Sequence, residues 1–220
     1  MTISFLICSF KGSHFLQQTV DSIKATTKAY DYEILIDVEQ KKTGLSGTPK
    51  RYMQLFNKAK GNYIVKSDDD VLYMADISKY FIDILEKDPK IGYIGSISHK
   101  LMIKLGIKHS WSDRFPILPK KENLYREESI ASGVCWGFKR SLWEKYPYTV
   151  VGDTWHLDGR YANFIRGKKL KVCAIMGALT KHLGSTPNSA RYKGLLTDRP
   201  GKIASPSFQR KHPEINFRVF

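Results

Sequence analysis

Three consecutive aspartates, Asp68-Asp69-Asp70, follow the short apolar run Tyr63-Ile64-Val65. Carboxylates crowded at the end of a buried strand repel one another and lose hydration. The chain is otherwise basic, with 36 Lys and Arg against 21 Asp and Glu and a net charge of +15. A solvated acidic turn is one reading of the triplet. The other is a strand that delivers carboxylate oxygens to a hard divalent cation, their preferred partner.

The pattern on either side of the triplet decides the fold class. Residues Ile3 to Cys8 form an apolar run suited to a buried strand. Phe15 to Thr26 follows with Phe15, Leu16, Val20 and Ile23 at helical spacing. Tyr32 to Ile36 is a second strand ending at Asp37, and Gln40 to Gly47 is a loop. Thr48-Pro49 reads as an N-cap and first turn of a helix reaching Lys58, with Tyr52, Leu55 and Phe56 inward. A helix over Ile77 to Lys87 and a strand over Ile91 to Ile97 continue the alternation. This rhythm specifies an α/β domain with a mostly parallel central sheet flanked by helices. Ligands of such sheets bind beyond the carboxyl ends of the strands, where Ser9, Asp37 and the triplet all fall.

The second half is less regular. His99 to Arg126 reads as a long excursion. Ser132 to Phe138 and Lys169 to Ile175 are strand candidates, and Ser141 to Tyr146 is a short helix. His156 to Arg166 is a helix closed by Gly167. Beyond His182 the chain is rich in Gly, Pro, Ser and basic residues. The cysteines Cys8, Cys135 and Cys173 are far apart and odd in number, as expected of buried thiols in a reducing compartment. No apolar run approaches the ~20 residues of a membrane span, and the N-terminus lacks the pattern of a secretory signal. The expectation is a soluble, cytoplasmic protein. Its charge suggests a polyanionic partner, DNA or a phosphorylated glycan among them, against the simpler reading of a lysine-rich soluble surface.

In four places, in order, the chain resembles the nucleotide-sugar glycosyltransferases of the GT-A fold, especially the inverting family 2. These are Ser4-Phe5-Leu6-Ile7-Cys8-Ser9-Phe10, Glu33-Ile34-Leu35-Ile36-Asp37, the stretch from Asn57 to Asp70 that ends in a DxD motif, and the stretch from Ser132 to Trp143. The resemblance covers residues 1–184. It departs from the family pattern at Lys11, at Asp37-Val38-Glu39-Gln40, and at Gly152-Asp153-Thr154-Trp155-His156-Leu157-Asp158.

The resemblance implies a single Rossmann-like GT-A domain over 1–184. Residues 1–98 would bind the nucleotide-sugar and 99–184 the acceptor, with 185–220 a basic tail or lid. It implies a metal-dependent inverting transfer from a nucleotide-sugar, a UDP-sugar foremost, to a hydroxyl. Asp70 would be the principal ligand of Mn2+ or Mg2+, with Asp68 and Asp69 at the ribose and metal and His182 the third ligand. Ser9 and Asp37 are candidates for the base, and Arg51 for the diphosphate or an acid partner. Asp158 is the favoured general base and Asp153 the alternative; either is also explained as a helix cap or turn residue. Arg191 and Lys193 could close over the diphosphate. Trp111, Trp136 and Trp155 are candidates for a sugar-stacking wall or for core.

For the acceptor, basic clusters at Lys100, Lys104 and Lys108, at Lys120-Lys121 and from Arg191 to Lys211 interleave with aromatics. They suit DNA carrying a hydroxylated base, as in virus-encoded DNA glycosylation, which would place the protein in a host cytoplasm. A surface glycan or lipid-linked acceptor is the alternative. A nucleotidyltransferase or a non-enzymatic nucleic-acid-binding protein are the readings of another class.

Overall fold

The computed structural model describes residues 1–10, 13, 15–39, 47–96, 116–129, 134–150 and 157–183. Lys11, Asp153, Trp111, Trp155, Lys100, Lys104, Lys108, the 185–220 tail with Arg191 and Lys193, and the loop from Gln40 lie outside them.

A seven-stranded sheet in the order β2-β1-β3-β7-β5-β8-β6 forms the centre. Its strands are β1 (Thr2–Phe10), β2 (Asp31–Glu39), β3 (Tyr63–Asp68), β5 (Ile91–Gly95), β6 (Tyr125–Glu127), β7 (Cys135–Lys139) and β8 (Lys171–Ile175). The pairings β1–β2, β1–β3 and β5–β8 are parallel, while β7 and β6 run against their neighbours. Five strands therefore share one direction. Two further strands, β4 (Val71–Tyr73) and β9 (Thr180–His182), make a separate antiparallel pair.

Side-chain alternation sends β1 into two cores. Ile3, Phe5 and Ile7 join Tyr63 and Val65 on one face, against α1 (Leu16–Thr26) and α3 (Ile77–Lys87). Leu6, Cys8 and Ile64 face the other way. There they meet α2 (Gly47–Lys58), α4 (Arg140–Lys145) and α5 (Leu157–Gly167). The second core is aromatic. Trp136 stacks between Tyr93 and Tyr161, with ring centroids 4.9 and 5.2 Å away.

Several local expectations change. Thr48 lies inside α2, which opens at Gly47. Gly167 ends α5 but does not supply the left-handed turn; Lys169 does, at φ 61°. Its amide bonds the Arg166 carbonyl at 2.8 Å, so the hydrogen-bonded turn stabilises a conformation that glycine would reach without strain. The excursion after His99 contains β6, an edge strand paired with β8. Among the described residues no helix is long and apolar enough to cross a membrane.

Candidate metal and nucleotide site

The carboxyl ends of β1, β2 and β3 lie side by side, with Cys8 in register with both Asp37 and Asp68. Asp68 closes β3, and Asp69-Asp70 turn the chain into β4. Pairing of β4 with β9 sets Val71 opposite His182, and the Leu183 amide bonds the Asp70 carbonyl at 2.7 Å. This small sheet carries a histidine 112 positions away onto the triplet: His182 Nε2 lies 3.0 Å from Asp70 Oδ1. Ligand atoms of Asp68, Asp70 and His182 all fall within 4.8 Å of one another. Two carboxylates from the end of β3 and its turn, with an imidazole from β9, are a donor set that suits Mn2+, and fits Mg2+ less well through its nitrogen.

The three acids have different surroundings. Asp69 does not join the cluster: its buried carboxylate accepts a 2.5 Å hydrogen bond from Ser9 Oγ. Thr19 holds the same turn, donating to the Asp69 carbonyl at 3.0 Å and accepting from the Val71 amide at 3.1 Å. Asp68 pairs with the ammonium of Lys66. Its side chain keeps 36% of its surface open, but the protein packed around it still pushes its pKa up. Lys66 opposes that shift and Asp70 reinforces it.

Asp37 and Arg51 are ion-paired, and Arg51 Nε also reaches Glu39 at 3.9 Å. Of the two roles open to Arg51, pairing with an acid is the one seen. Tyr52 on α2 stitches the strand ends from below. Its hydroxyl donates to the Ser67 carbonyl at 2.6 Å and accepts from the Cys8 amide at 3.1 Å.

Asp158 lies in the first turn of α5. That helix packs on β8 and β5 and precedes β8 in the chain, so its N-terminus sits at the same sheet edge as the triplet. The buried Tyr93 hydroxyl titrates well above its ordinary value, through burial first and then through Asp158, with Asp68 also contributing. One phenol therefore feels both carboxylates.

The structure decides between the two readings of Trp136 and bears out the buried cysteines. Trp136 is fully buried in the aromatic core and cannot form a sugar wall. The cysteines are free, buried thiols; burial pushes Cys135 and Cys173 up to about 12 and Cys8 well above its usual value, which removes them as nucleophiles. Lys66 and Tyr52 went unassigned to the site. A lysine interrupting an apolar strand two residues before an acid was the available signal for the first.

The sequence profile described as "Glycosyl transferase family 2" matches residues 38–146. The chain also superimposes on a mannosyltransferase, PcManGT from Pyrobaculum calidifontis, determined with GDP-Man and Mn2+. That match has a TM-score of 0.54 and 15% identity over 98% of this chain and 69% of the other. A second structural match is GalNAc-T7, determined with UDP, GalNAc and Mn2+, with a TM-score of 0.56 and 14% identity over 100% of this chain and 55% of that one. The chain is a glycosyltransferase of the GT-A fold. No curated protein matches it in sequence. In this glycosyltransferase the family profile spans β3 and the triplet, while His182 and Asp158 lie beyond its last matched residue.

Proposed function

We propose that this glycosyltransferase moves a sugar, with inversion, from a nucleotide-sugar to an acceptor hydroxyl, and that a UDP-sugar is the foremost donor. The carrying observation is the meeting of Asp68, Asp70 and His182 at the carboxyl edge of the sheet. These three would hold a Mn2+ or Mg2+ ion, which as a Lewis acid offsets the charge growing on the departing diphosphate. Ser9 and Asp37 would face the nucleoside, with Arg51 orienting Asp37. Asp69, tied to Ser9, would fix the turn that presents its neighbours, in reach of the ribose.

Removing a proton from the acceptor hydroxyl would fall to Asp158, which lies in the first turn of α5. Asp153 remains the alternative base. In this reading residues 1–98 serve the donor, 99–184 the acceptor, and 185–220 are a basic tail or lid.

The acceptor we favour is DNA with a hydroxylated base. The support is the net charge of +15 and the interleaving of basic and aromatic residues; of these, Lys120 and Lys121 are exposed in the structure. A donor screen comes first: UDP-, GDP- and dTDP-sugars are tested for Mn2+-dependent thermal protection and hydrolysis. Protection by one nucleotide series is expected, and protection by none would overturn the donor reading. Transfer to hydroxymethylated but not plain DNA at low salt is then expected. Transfer to a lipid-linked or phosphorylated glycan instead would replace the DNA acceptor.

A further inference from the structure

Lys66 is out of place. It lies inside β3, the third strand of seven, with Leu6 and Trp136 as register partners on either side. Both neighbours are fully buried, and Lys66 itself is only 7% exposed. An ammonium in such a position requires a compensating charge. Side chains two apart share a strand face, and Asp68 is two residues on; the ammonium is paired with Asp68 Oδ1. From the α2 side it rests over the Tyr52 ring, 5.1 Å from the centroid. Tyr52 is itself pinned to β1 and β3 through its hydroxyl.

Asp68 is thereby shared between a fixed cation and the cluster with Asp70 and His182. A divalent ion held there would meet a like charge one carboxylate away. A diphosphate held beside the ion would reverse the balance, because its oxygens would offer the ammonium a second anion and free Asp68.

We propose that Lys66 makes metal capture conditional on the nucleotide: the resting site holds Mn2+ weakly, and the ion is retained as a metal–nucleoside diphosphate pair. The proposal rests on the metal reading of Asp68, Asp70 and His182. In it Lys66 is a positioning residue that acts through Asp68. It offsets the Asp68 charge between turnovers and ties donor and ion into one binding event.

The test is Mn2+ binding, read by electron paramagnetic resonance of the free ion, with and without UDP or GDP. It compares wild type with Lys66→Gln, Lys66→Met and Lys66→Arg. Gln keeps a hydrogen-bond donor toward Asp68 without the charge, so it covers the case in which Met disturbs folding. Removing one charge beside the ion should tighten nucleotide-free Mn2+ binding by about tenfold in Lys66→Gln and Lys66→Met. The strengthening that UDP or GDP brings should shrink by a similar factor. Lys66→Arg should match wild type in both. If wild type binds Mn2+ with nucleotide but Lys66→Gln binds the bare ion no tighter than wild type, the proposal is overturned and the metal site stands. If wild type binds no Mn2+ with either nucleotide, the metal site falls as well.

Discussion

The two ends of β1 use the same chemistry for different ends. Near its start, Ser4 Oγ donates to Glu33 Oε1 at 2.5 Å; near its finish, Ser9 Oγ donates to Asp69 Oδ2 at the same distance. At the first end the acid is closed off by backbone. The Lys60 amide reaches Glu33 at 2.6 Å and the Gly61 amide reaches Ser4 Oγ at 2.8 Å, so one carboxylate locks β2, β1 and the entry to β3 together. At the second end Asp69 is secured in the same manner, but Asp68 and Asp70 are left converging on a histidine. A serine–carboxylate pair is thus a fold device in both places. What separates a lock from a site is the surplus of acids beside it.

The largest effect should come from the surplus. Asp70→Ala is expected to lower kcat by about 10³-fold or more, the loss of a Lewis acid's several kcal/mol, with melting temperature little changed. Steady-state kinetics beside a thermal melt would check it; a collapse of the fold instead would make this end a lock as well. Asp158→Asn should lower kcat by about 10²- to 10⁴-fold while leaving nucleotide affinity intact, measured by calorimetry against turnover. Equal losses in binding and turnover would count against a base.

The lock should answer the other way. A Cβ on Gly61 would sit 2.6 Å from the Ser4 nitrogen and 2.8 Å from the Ile3 carbonyl carbon, both backbone and unable to yield. Gly61→Ala should therefore destabilise by about 2 kcal/mol in a denaturant titration, with activity per folded molecule preserved.

A smaller effect is expected at the lock's own carboxylate. Burial works to raise the Glu33 pKa, but the bonds from Ser4, Lys60 and Gly61 outweigh it and hold the carboxyl below its ordinary 4.5. A depressed folded pKa gives stability that is present above the unfolded value and is lost as pH falls through the folded one. Glu33→Gln should cost about 1 kcal/mol near neutrality. It should also flatten the loss of stability below pH 4.5, as seen in melts across an acid series.

The lock and the site were not equally visible in the sequence. Strands β1 to β3 and helices α1 to α3 announce themselves by period, because their apolar residues repeat on one face over six or more positions. Asp68, Asp70, Ser9 and Asp37 follow directly as strand-end polar residues. By contrast, β4 and β9 have three residues each, too few to show alternation. Their pairing spans more than a hundred positions, so the contact between Asp70 and His182 is a tertiary fact. Lys66 was hidden for a related reason: an isolated lysine after Tyr63-Ile64-Val65 reads as a strand leaving the core, and only the register with Leu6 and Trp136 shows it staying inside. Trp136 stays open between wall and core in the sequence, since indoles suit sugar faces and cores equally until burial is known.

The proposed chemistry turns on Asp68, Asp70 and His182 holding the ion that the nucleotide-sugar requires. Thermal melts of wild type, Asp70→Ala and His182→Ala with UDP or GDP, in Mn2+ and in chelator, put that to the test. A nucleotide-induced rise in Tm is expected for wild type in Mn2+ only, absent in Asp70→Ala and reduced in His182→Ala. An equal rise in chelator, or an undiminished one in both variants, would mean that these residues hold no such ion.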